Sequence, residues 1–188
     1  MLTKLPNDHA AAKRPVRSYA GRVELSETGL SEIPQTSPVH RIGSTYERLL
    51  EQCENQHLPS IADFLGAMPE GLDDFCLILA PVRAQRFIDF EVMHRGSRIP
   101  GIDLAELTPG ELYTDRISPK FADERLMELA SCMALKAPRY SRALAARPSS
   151  LNVRVYRAVM PGWLDDSEQH GVVLAIAPVY EQTDPEAA

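Results

Sequence analysis

The chain has 188 residues, a formal net charge of −6, 44% hydrophobic residues and 24% charged residues. That length suits one domain with a sizeable core rather than two, and the composition argues against wholesale disorder. The acidic balance argues against nucleic-acid binding driven by bulk charge, and no apolar run approaches the roughly 18 residues that span a bilayer.

Three cysteines, Cys53, Cys76 and Cys132, fit neither a zinc spacing nor a CxxC redox motif. With no apolar signal core near the N-terminus, reduced thiols, a cytoplasmic location and no membrane insertion are expected. Residues 1–43 carry Pro6, Pro15, Pro34 and Pro38 among polar and charged residues, and read as a flexible tail with at most a short strand around Arg22–Leu25. Lys4, Lys13, Arg14, Arg17 and Arg22 are spread along it as a solvated face, so no nucleic-acid partner is expected.

Helical patterning begins at Ser44, with Glu47 three residues on as in a capping box. Tyr46, Leu49, Leu50 and Cys53 then share a helical face. A second short helix follows Ser60 as cap, with Ile61, Phe64, Leu65 and Met68 as its stripe. Phe75–Ala80 is apolar on both sides, as a central strand would be. Phe87–His94 alternates, with Ile88, Phe90, Val92 and His94 on one face, and the short link 82–86 predicts a hairpin. Gly96 to Pro119 is broken by glycines and prolines and reads as loops with short helical turns, one at Ile102–Leu107.

The strongest helix spans about Phe121–Lys136, with Leu126, Leu129, Ala130 and Met133 as its apolar stripe. Three strands follow, near Arg139–Ala145, Leu151–Met160 and Val172–Val179, the last apolar on both faces. The link Pro161–Gly171 reads as a hairpin connection, and the residues after 181 as a second tail. This order predicts an α+β domain over residues 44–181: a five-stranded antiparallel sheet with helices on one face, preceded by N-terminal helices. Leu129 and Ile176 are expected in its core.

The same order resembles the PAS fold. Phe87-x-x-Phe90 ending at Gly96, followed by Gly101-Ile102-Asp103-Leu104-x-x-Leu107, is similar to a divergent bacterial, stand-alone PAS subfamily. Leu58-Pro59-Ser60 resembles its N-terminal helical region, Tyr156–Pro161 its late strand, and Asp165-Asp166 with the strand after Gly171 its final hairpin. The resemblance covers about residues 40–181 and implies a sensory or interaction module that binds ligands, dimerises or docks on signalling partners.

Several residues are candidates for such roles. His94, on the apolar parity of its strand, is a candidate ligand-binding residue and potential haem ligand. Haem-binding PAS domains usually take their histidine from the helical middle, and 96–137 contains none, so haem is disfavoured. A photoactive flavin domain needs a cysteine in an N-C-R-F-L-Q-like helix, which is absent, so photoactive flavin is disfavoured too and any cofactor stays unknown. Arg157 shares parity with Val153, Val155 and Val159; it meets an anionic ligand or buried carboxylate there, or snorkels out near the strand end. Trp163, the only tryptophan, is read in the last hairpin loop, as an interface anchor or a cap on the core edge.

A sheet covered on one face leaves an apolar patch on the other, to be met by the N-terminal helix folding back on its own sheet or by a second copy. A homodimer is therefore expected, with Leu49, Leu50 and Leu174 near its interface. Asp73-Asp74 and Asp165-Asp166 lack a histidine cluster, and no nucleophile elbow, GxxxxGK[ST] or GxGxxG is present, so no catalytic residue and no metal site is assigned. The expected function is non-enzymatic PAS-like sensing or interaction, with a histidine kinase or response regulator as partner. The alternatives are a small-molecule or cofactor-binding sensor and an enzyme on an α+β scaffold.

Overall fold

The two segments that are apolar on both sides become neighbouring strands inside one sheet, because only there are both faces covered. In the computed structural model, which describes residues 25–53, 57–84, 87–99, 107–116, 119–145, 153–164 and 169–179, these are β2 (Cys76–Ala84) and β6 (Gln169–Pro178). They pair antiparallel with Leu77 opposite Leu174. Around them lie β1 (Leu25–Thr28), β3 (Phe87–Arg95), β4 (Arg139–Ala145) and β5 (Val153–Leu164). The sheet is antiparallel, in the order β1-β4-β5-β6-β2-β3.

Among the described residues three α-helices accompany the sheet: α1 (Pro38–Gln52), α2 (Ile61–Ala67) and α3 (Pro119–Leu135). α3 and the turn Tyr113–Arg116 lie on one face. There Leu129, Cys132 and Tyr113 pack on Leu79, Val92, Val155, Val159, Leu174 and Ile176. α1 and α2 lie on the other, where Val39, Ile42, Tyr46, Ile61 and Phe64 pack on Ile78, Tyr156, Met160, Val173 and Ala175. Leu129 and Ile176 are both buried, at 0% and 2% exposure, as the sequence predicts.

Among the described residues the sheet has six strands rather than five, because residues 25–43 belong to the fold. The helices expected on one face cover both, since the N-terminal helices α1 and α2 take the second. β1 pairs with β4, placing Leu25 opposite Ala143 and Thr28 opposite Tyr140. Ile33, Val39 and Ile42 are core residues. α1 starts six residues before Ser44, because Pro38 occupies the first helical turn, where its missing N–H removes no intrahelical bond. The proline read as punctuation is a helix start.

α2 forms where its cap predicts. The Ser60 hydroxyl accepts a hydrogen bond from Asp63 N at 2.9 Å. Tyr46 ties α1 to the sheet: its hydroxyl donates to the Pro161 carbonyl at 2.6 Å, and its ring meets Phe64 edge-on at 5.3 Å between centroids. Burial raises the Tyr46 pKa, which keeps that donor protonated.

The long edge strand, β3, is partly closed from outside. Val92 N donates to Glu111 O, and Gly110 N donates to Val92 O, each at 2.9 Å. Asp89 is buried beside them; it accepts from Phe90 N at 2.7 Å and from the Thr114 hydroxyl. These contacts satisfy strand edge groups that would otherwise invite pairing with another chain. They also fix the 110–116 segment over the α3 face. The turn expected at Ile102–Leu107 lies outside the described residues except for Leu107, which is fully buried.

Candidate functional site

β5 alternates strictly. Tyr156, Ala158 and Met160 face α1 and α2, while Val155, Arg157 and Val159 face α3. Arg157 is in the middle of a 12-residue strand, not at its end, so its side chain cannot snorkel to water. It is 4% exposed. Its Nη1 donates to Glu128 Oε1 at 3.3 Å, and its Nη2 stands 2.9 Å from Glu128 Oε2. The second contact is ionic; Nη2 makes no well-aligned hydrogen bond.

Glu128 projects from α3 together with Arg125, whose Nη1 lies 3.5 Å from Glu128 Oε2. Both side chains are buried, so the cluster is three charges inside the core: two guanidiniums and one carboxylate. Burial, followed by repulsion from Arg157, lowers the Arg125 pKa. Tyr113 closes the cluster from the 3-10 turn. Burial raises its pKa, while Arg157 and Arg125 pull the other way, Arg157 through hydrogen bonding as well as charge. On the other side of Arg157, the β4–β5 register sets Ser141 directly opposite it. The Ser141 hydroxyl is buried without a hydrogen-bond partner.

Arg157 is thus the one predicted ligand-binding residue that sits in a buried polar site. Its companions Arg125 and Glu128 were hidden by the phase of the helical pattern. The stripe Leu126, Leu129, Ala130 and Met133 is rotated by one position from the buried one, Arg125, Glu128, Leu129 and Cys132. Both follow i, i+3, i+4, i+7, and an arginine and glutamate in the first turn of the stripe read as solvent-facing. Cys132 is buried in the same face, its Sγ lies 3.2 Å from both Ala137 O and Val159 O, and burial raises its pKa.

His94 is displaced from the apolar face. A β-bulge between Ile78 and Leu79 pairs Ile78 with His94 but Leu79 with Val92, so Met93 is the extra residue and the alternation reverses. His94 is exposed. The neighbouring Asp74 carboxyl is held low chiefly by the Ser97 hydroxyl, which donates to it at 2.6 Å, with the Arg98 guanidinium acting in the same direction.

Trp163 is in a strand rather than a loop, because β5 runs to Leu164 and pairs Trp163 with His170 of β6. The two rings stack with centroids 3.8 Å apart, tilted by 38°. Trp163 N also donates to Pro59 O at 3.1 Å, which anchors the start of α2 to β5. His170 Nε2 is buried and unpartnered, and burial, then the charge of Lys136, lowers the His170 pKa.

The interface residues do not form one surface. Leu174 is fully buried beneath α3. Leu49 and Leu50 are half-buried against the opposite core. Among the described residues α1 and α2 therefore pack on the sheet face that the dimer expectation left open.

Among the described residues, no group of three or more His, Cys, Asp or Glu is placed to hold a metal, and no helix is long and apolar enough to cross a membrane. No protein-family model, curated protein or solved structure matches the chain.

Proposed function

We propose that the protein is a non-enzymatic, PAS-like sensory and interaction module that acts in bacterial signalling through a protein partner, a histidine kinase or a response regulator. The observation that carries this reading is the chain path. β2 and β3 pair antiparallel, the turn Tyr113–Arg116 and α3 lie over one face, and β4, β5 and β6 return so that β6 lies beside β2. That path matches the element order on which the sequence resemblance rests. It also makes a face where a helix overlies buried polar groups, a suitable place to register a signal.

Affinity capture of the full chain from its native cytosol tests the proposal. A histidine kinase or response regulator should co-purify and should bind the purified chain directly. Recovery of neither, or turnover of a small metabolite by the chain alone, counts against it.

Ligand sensing is favoured as a second reading by one observation, the buried Arg157 and its unaligned Nη2. Native mass spectrometry and the visible spectrum of the purified protein separate it from pure adaptor function. A homodimer remains part of the proposal only through the Leu49–Leu50 ridge, since Leu174 is sealed. In sedimentation, Leu50→Asp should then shift a dimer to monomer; an unchanged mass removes that contact.

A further inference from the structure

Among the described residues, the core beneath α3 holds two buried guanidiniums and one buried carboxylate. Arg125 and Arg157 share Glu128, while Glu124 acts on Arg125 only from the exposed side of the helix. Arg157 Nη2 and Ser141 Oγ are buried with no aligned partner. Next to Ser141 in the same row across the sheet is Glu27, but its carboxylate is exposed and paired with Arg139. An excess positive charge in the interior is costly unless an anion answers it. Here it is found in a chain whose overall charge is −6.

We propose that Arg157, Arg125 and Ser141 form a receptor for a small carboxylate ligand, which binds by displacing Glu128 from Arg157. The exchange is carboxylate for carboxylate, so the Arg157 fork keeps a planar, two-oxygen partner. The Ser141 hydroxyl donates to the incoming anion, and Arg125 balances its charge. Glu128 is released with the part of α3 that carries it, so ligand occupancy is read out as helix position. This deepens the sensory proposal and rests on it only for the ligand's use as a signal.

Calorimetric titration of the full chain with formate and with acetate tests it, at constant ionic strength set by chloride and with sulfate as a tetrahedral comparison. Amide exchange in α3 is followed in parallel. At least one carboxylate should bind saturably and speed exchange in α3. Ser141→Ala should weaken binding about tenfold, the loss of one hydrogen bond to a charged group. Glu128→Gln should tighten it by about as much, because the internal competitor loses its charge. A purely structural ion pair predicts the reverse for Glu128→Gln: lower stability and no gain in affinity.

Arg157→Gln should abolish binding; if that variant does not fold, Ser141→Ala and Glu128→Gln carry the test. Absence of saturable carboxylate binding in both the unaltered chain and Glu128→Gln overturns the proposal, as does equal binding of sulfate. Acetate binding in a chain that captures no signalling partner leaves the receptor standing and removes the signalling role. A captured partner without carboxylate binding does the opposite.

Discussion

Arg157 in β5 and Glu128 in α3 lie 29 positions apart in sequence and meet in the core with two nitrogens against two oxygens, at 3.3 Å and 2.9 Å. Breaking such a pair from one side strands a charge in a dry site, at about 3–5 kcal/mol. Glu128→Ala is therefore expected to lower the free energy of unfolding by about that amount in urea titration. Replacing all three charges with apolar residues of similar volume, Arg125→Met and Arg157→Met with Glu128→Leu, should cost far less, because no unpaired charge remains in the cluster. Equal losses in the single and triple variants would show that packing, not charge, dominates here.

Leu129 stands beside Glu128 on the inward face of α3 and is fully buried. Leu129→Ala removes its packing and leaves a cavity, a loss of about 2–5 kcal/mol. Denaturant unfolding measures it. A loss under about 1 kcal/mol would mean that α3 does not rest on the sheet as described.

Trp163 is the sole tryptophan and stacks on His170, which makes it a built-in reporter of that histidine. The sign of the pH effect follows from the lowered His170 pKa. Between the folded value and the usual 6.5 the unfolded chain binds the extra proton and the native chain does not, so acidification through that window favours unfolding. Native-state fluorescence should fall on further acidification, since a protonated imidazole quenches indole more strongly than a neutral one. His170→Gln should flatten both profiles; profiles unchanged in that variant would assign the effect to another group.

Gly96 follows β3 directly, where the chain passes closely over the turn before β2. Its N–H donates to Cys76 O at 2.8 Å, and a Cβ at this position would stand 2.3 Å from Asp74 O. Backbone cannot yield as a flexible side chain would, so Gly96→Ala should lower stability by about 1–3 kcal/mol and loosen the Asp74–Ser97 contact. Thermal unfolding checks this. Wild-type stability would mean that the turn has room that the close approach denies.

Local signals in the sequence determined much of the fold. Ser60 announced α2 because a cap is a contact across three residues. The two-sided apolar runs announced β2 and β6 because only strands covered on both faces can carry them. Leu129 followed from helical periodicity, and Ile176 from its two-sided apolar run. Tertiary structure decided the rest, wherever a residue's role depends on a partner distant in sequence. β1 is four residues long and acquires its identity only by pairing with β4, more than a hundred positions away. One bulge at Met93 reversed the parity that had placed His94 inside, and periodicity cannot register a single inserted residue. A one-position rotation of α3 turned Arg125 and Glu128 inward. Two charged residues on a helix read as solvent-facing until β5 brings Arg157 to meet them, since charge is tolerated in a core only where the fold supplies its counter-charge.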